Sequence, residues 1–121
     1  MKYALLLNNA AADVERWETL SPEEAEAARA EEVPKWEAFF ARVGERGQLV
    51  TGVELDGPWA AKTVRLVEGE SLVTDGPYAE TKEVVGGLLV VECENLDEAI
   101  ELAASVPVAD RGSVEIRPLA G

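Results

Sequence analysis

The chain has 121 residues, with 24 Asp plus Glu against 11 Lys plus Arg, no histidine and a formal charge of −13. That length supports one hydrophobic core and is short for two, and a single cysteine excludes an internal disulfide and a multi-cysteine metal cage. The charge opposes phosphate backbones and anionic leaflets, and the missing histidine removes the commonest neutral-pH base, the commonest zinc ligand and every Ser–His or Cys–His pair.

Residues 2–7 are expected to form a strand, apolar on both faces and stopped by Asn8-Asn9. A loop of about a dozen residues carrying Trp17 should follow, long for a connection. Ser21-Pro22-Glu23-Glu24 then opens a helix with three agreeing signals: a capping serine, a proline at the first helical position and a capping-box glutamate. That helix should end or kink at Pro34. A second helical stretch places Trp36, Phe39, Phe40 and Val43 at i, i+3, i+4, i+7, a core-facing stripe, with Gly44 and Gly47 as stop signals.

Residues 49–55 form the second strand. Residues 62–67 form the third, with Val64 and Leu66 on one side and Thr63 and Arg65 on the other. Glu68-Gly69 turns the chain into a short partner strand at Ser71-Leu72-Val73. Residues 86–92 are apolar on both faces and belong at the centre of a sheet. Asn95-Leu96-Asp97-Glu98 opens a helix with Leu96, Ala99, Ile100 and Ala103 inward, and Pro107 closes it. The last strand runs over residues 113–117.

This order predicts a single α+β domain over residues 1–121. It is a ferredoxin-like split β-α-β sheet with helices on one face. Helices cover one face only, so the two doubly apolar strands predict a homodimer packed sheet face against sheet face. No apolar run reaches the length of a membrane span, and no targeting segment is recognisable. A cytoplasmic protein with no membrane or nucleic-acid partner is expected. No metal ligand set and no cofactor motif is visible.

The most distinctive stretch is Thr74-Asp75-Gly76-Pro77-Tyr78-Ala79-Glu80-Thr81-Lys82-Glu83, running into Gly86-Gly87. It resembles the signature of the DGPF proteins, a branch of the YCII-related superfamily, with Tyr78 in place of the phenylalanine. The likeness continues through Glu98-Ala99, Pro107 and Val114-Glu115-Ile116-Arg117-Pro118. The resemblance implies a dimeric ferredoxin-like α/β barrel, and for some members a genomic association with extracytoplasmic-function sigma factors. Other YCII-like proteins have a His and an Asp proposed as a catalytic pair. Of that pair only an aspartate carries over here, and Asp75 is the candidate.

Asp75-Gly76-Pro77 also reads as a plain turn, since Asp accepts from backbone amides and proline holds the preceding residue extended. The functional alternative makes Asp75 a base or orienter and places Tyr78, Glu80 and Lys82 in a pocket at the barrel mouth. Arg65 or Lys82 would receive a ligand anion, and Trp36 is either core or pocket wall. A second copy of the turn, Asp56-Gly57-Pro58-Trp59-Ala60, lies nineteen residues earlier. Either the chain uses one turn solution twice, or two aromatic-topped turns flank the hairpin. Glu115 and Arg117 share one face of the last strand, where a cross-strand ion pair is the plain account. Cys93 reads as packing. Two functions stay open: a small-molecule binder or enzyme-like protein, and a non-catalytic module presenting acidic charge to a protein partner.

Overall fold

A computed structural model describes residues 1–76 and 82–121; the expectations for Tyr78 and Glu80 fall outside them. Strand β1 (Lys2–Ala10) runs three residues past its expected stop. Both asparagines keep partners across the sheet, Asn8 opposite Val85 and Asn9 opposite Val84, after a register shift between Leu7 and Asn8. Helix α1 (Ala11–Thr19) then takes the place of the expected loop. No side chain caps it; its first amide instead donates to the Lys82 carbonyl at 2.7 Å. A tertiary contact starts this helix, so the local capping code does not announce it.

Helix α2 (Pro22–Glu45) is one continuous element where two segments were expected. The capping box is present: Glu24 N donates to Ser21 Oγ at 3.1 Å, and Ser21 N donates to Glu24 Oε1 at 3.1 Å. Pro34 lies inside the helix on its exposed side. There the lost backbone bond leaves an acceptor that water can reach, so the helix passes through. The end is a Schellman pattern, with Gly47 N donating to Gly44 O and Gln48 N to Val43 O, both at 3.1 Å.

The main sheet has the order β2-β5-β1-β6, every neighbouring pair antiparallel, built from β2 (Leu49–Glu54), β5 (Glu83–Glu92) and β6 (Ser113–Pro118) around β1. This is the ferredoxin-like arrangement, and the fold is α+β. Tyr3, Leu5, Leu7, Leu89 and Val91 form the covered face and pack with Phe39 and Val43 of α2. Helix α3 (Leu96–Ala104) adds Ala99, Leu102 and Ala103. Its N-terminus is capped by Asn95 Oδ1, which accepts from Glu98 N at 2.9 Å.

The inward stripe of α3 differs from expectation: Leu96 and Ile100 are each 50% exposed. Val106 and Val108, in the turns after the helix, enter the core and draw in the row Ala99–Leu102–Ala103–Val106 instead. The helix stops at Ala104, ahead of Pro107, with the Ser105 hydroxyl donating to Leu102 O at 2.7 Å.

The opposite face carries Ala4, Leu6, Leu88 and Val90, all half-buried, with Val53 at the edge and an ion pair between Arg117 Nε and Glu115 Oε2. That pair runs along β6 rather than across strands. Strands β3 (Lys62–Val67) and β4 (Glu70–Asp75) form a separate two-stranded sheet. Glu68 and Gly69 both have positive φ, 51° and 82°, the geometry of a tight hairpin turn. Val64, Leu66 and Val73 share one hairpin face and are 60%, 75% and 58% exposed. A two-stranded hairpin alone is marginal in water, so this one needs a surface to pack on. Among the described residues no helix is long and apolar enough to cross a membrane.

Candidate functional site

Between the N-terminal half of α2, helix α1 and the covered side of the sheet lies an open cleft of about 1390 Å³. Gly52, Gly86 and Gly87 contribute no side chains to it; a Cβ on Gly52 would stand 2.7 Å from Leu89 Cδ2. The walls hold all three tryptophans of the chain. Trp17 comes from α1, Trp36 from α2, and Trp59 from a 3-10 turn over Pro58–Ala60. Phe40 continues the Trp36 wall as a stacked ring, centroids 5.7 Å apart, and Phe39 packs edge-on to Trp36 at 5.9 Å. Trp36 therefore serves both roles: it packs on the core with one side and lines the cleft with another.

Trp59 is set by Gly57. A Cβ there would lie 2.1 Å from the indole ring, so only glycine lets the ring fold back over the turn. The two Asp-Gly-Pro copies are not one turn used twice, since Gly57 has φ −62° while Gly76 has φ 90°.

Charge is unevenly distributed around the cleft. The Arg29 guanidinium lies 5.6 Å from the Trp17 ring centroid and 3.9 Å from Glu54 Oε1 on the facing edge strand. Arg111 Nη2 donates to Glu32 Oε2 at 2.9 Å, and Lys35 reaches Glu32 Oε1 at 3.3 Å. Burial pushes the Glu32 carboxyl up, but the hydrogen bonds and charges of Arg111 and Lys35 outweigh it and hold the group below the usual carboxylate range. Asp13, Glu31 and Glu37 also line the cleft.

The motif residues stand at the edge of this arrangement. Asp75 ends β4, with its carboxylate paired to Lys62 Nζ and its side chain 88% exposed. Arg65 is exposed on β3 opposite Leu72. Lys82 is exposed, and its carbonyl receives the first amide of α1. Neither Asp75, Arg65 nor Lys82 is among the cleft-lining residues. Both ends of the motif are nevertheless anchored on cleft walls. Gly76 N donates to Ala61 O at 2.8 Å beside the Trp59 turn, and Lys82 leads into Val84 and Val85, which line the floor. Thr63 Oγ1 donates to Gly76 O at 2.7 Å and secures the first anchor.

Trp17, Trp59, Arg29 and Glu54 were not anticipated as site residues. Trp17 could have been found from Val14 and Trp17, three apart on one helical face. Cys93 is buried in the core; burial, reinforced by the negative charge of Glu98, pushes its thiol up and leaves it protonated near neutral pH. Among the described residues no three Asp, Glu, Cys or His converge as a metal site.

A ferredoxin-like sheet with helices on one face and an aromatic cleft beneath them defines a small α+β protein of ferredoxin-like fold. The chain belongs to the YCII-related domain family, whose model matches residues 1–120. It is 44% identical over 78 residues to an uncharacterised protein of Rhizobium meliloti (strain 1021), covering 63% of this chain and 63% of that relative's length.

Proposed function

We propose that this YCII-related protein binds a small organic molecule in the tryptophan-lined cleft, as a homodimer of the DGPF branch in the cytoplasm. The observation that carries the reading is the cleft itself. It is open to solvent and, at about 1390 Å³, larger than the roughly 300–1,000 Å³ of typical ligand sites, so a small ligand would occupy the part beside the aromatic rings. Its aromatic walls are rigid, and large rings on a wet surface are otherwise costly to leave uncovered. The DGPY loop enters as the rim. Its anchors at Gly76 and Lys82 support placing Asp75, Tyr78, Glu80 and Lys82 where a ligand would enter, with Asp75 as the base or charged orienter and Arg65 nearby on the hairpin.

Two uncovered surfaces support the homodimer. Copies carrying −13 each repel, and they can meet only where charge is low. The open sheet face offers Leu6, Leu88 and Val90 with the internally neutralised Glu115–Arg117 pair, and the hairpin offers Val64, Leu66 and Val73.

A neutral fluorescent probe, N-phenylnaphthylamine, tests the binding reading. It should bind saturably, and Ala28→Phe, which projects a ring into the cleft from α2, should weaken that binding while leaving the thermal midpoint within a few degrees. Absent saturable binding, or equal binding by the variant, overturns the proposal.

A further inference from the structure

We infer that the cleft selects a ligand combining an apolar or aromatic body with a protonated amine, and rejects the matching carboxylate; this rests on reading the cleft as a binding site. The chain itself shows the first half of the recognition. Arg29 lays its guanidinium 5.6 Å from the centroid of Trp17, so a cleft-lining indole face already holds a cation. Tryptophan is the ring whose quadrupole attracts cations most strongly.

The second half is the balance of charge on the walls. Asp13, Glu31 and Glu37 line the cleft, and none has an ion-pair or hydrogen-bond partner among the described residues. Arg29 and Arg111 are already engaged by carboxylates, leaving Arg16 as the wall cation without such a partner among those residues. A cleft in which unpaired carboxylates outnumber unpaired cations raises the local concentration of positive ions, and the chain's −13 extends that field. An incoming carboxylate would meet three unpaired like charges against the single unpaired cation Arg16 on α1. An incoming ammonium finds unpaired carboxylates on the same walls as the indole rings, and its apolar body covers Trp36 and Phe40.

Three ligands with one body and three charges separate the alternatives: phenylbutylamine, phenylbutanol and phenylbutyrate, titrated while following tryptophan emission. The amine should bind about ten-fold tighter than the alcohol, and the butyrate weaker than either. The amine's advantage should shrink toward unity as salt rises to about 1 M, where the Debye length falls to about 3 Å. The double substitution Asp13→Asn with Glu37→Gln keeps volume and removes charge at one half-buried and one exposed position. It should lower amine affinity several-fold while the alcohol is unaffected. Arg29→Gln should strengthen amine binding by vacating Trp17. Equal affinities for amine and alcohol, a preference for butyrate, or an amine affinity untouched by the double substitution overturns the charge selection and leaves the cleft reading standing. Binding of none of the three overturns the binding reading itself.

Discussion

Replacing Gly57 by alanine isolates one cleft wall. Gly57 has φ −62° and ψ 159°, a conformation alanine adopts freely, so the backbone carries no penalty. The added Cβ would lie 2.1 Å from the Trp59 ring. Carbon atoms rest near 3.5 Å, so the ring must retreat by roughly 1.4 Å. Trp59 is 51% exposed and free to swing outward. An off-rotamer side chain costs about 0.5–1.5 kcal/mol, and the stiffer unfolded chain returns about 0.4–1 kcal/mol. Stability should therefore change by less than about 1 kcal/mol. Urea denaturation measures that term, and titration with N-phenylnaphthylamine measures the wall. The expected pair is an unchanged midpoint with affinity reduced several-fold. A loss of more than about 2 kcal/mol would show that Trp59 is structural. Unchanged stability and unchanged affinity would remove Trp59 from the site.

Asp75→Asn should change stability by about 1 kcal/mol or less, since its partner Lys62 and its own side chain are exposed; ligand affinity should fall if Asp75 orients the ligand, and an unchanged affinity returns it to the turn. Gly76→Ala should lower the unfolding free energy by about 1 kcal/mol or more, because φ 90° strains any side chain. Leu66→Lys, at a position 75% exposed in the single chain, should leave the fold intact and convert the dimer to a monomer in light scattering; a dimer unaffected by it would exclude the hairpin from the interface. Glu32, held below its ordinary value of 4.5, contributes stability that is present above that value and lost as pH falls through its lowered folded value. Glu32→Gln should thus be less stable by no more than about 1 kcal/mol at pH 6 and match the parent in strong acid; a gap that persists in acid denies the ion pair its role.

The elements legible in the sequence were those with local codes. Ser21 and Glu24 form the predicted capping box, Asn95 caps α3, Glu68-Gly69 turns the hairpin, and 62–67 is a strand with the expected ends. The two runs apolar on both faces, residues 2–7 and 86–92, fall on the central strands β1 and β5, whereas the alternating run 62–67 belongs to the separate hairpin. What was missed depends on contacts between distant residues. Helix α1 begins on the Lys82 carbonyl, seventy-one positions from Ala11. Strand β1 continues through its asparagines because β5 supplies partners. The facing of α3 is decided by Val106 and Val108, which lie beyond the helix. For the site, the motif pointed to Asp75, whereas the aromatic cleft assembles from α1, α2 and the earlier Asp-Gly-Pro copy. Three separate segments bring one tryptophan each, a convergence that no local spacing encodes.

The central claim is that the three tryptophans wall one binding site. Their three indole N–H resonances, resolved in a ¹⁵N correlation spectrum, report on it without interference from any other residue type. Titration with phenylbutanol should move all three along one saturation curve with a common Kd. Shifts confined to Trp59, or three curves with different constants, would contradict a shared cleft.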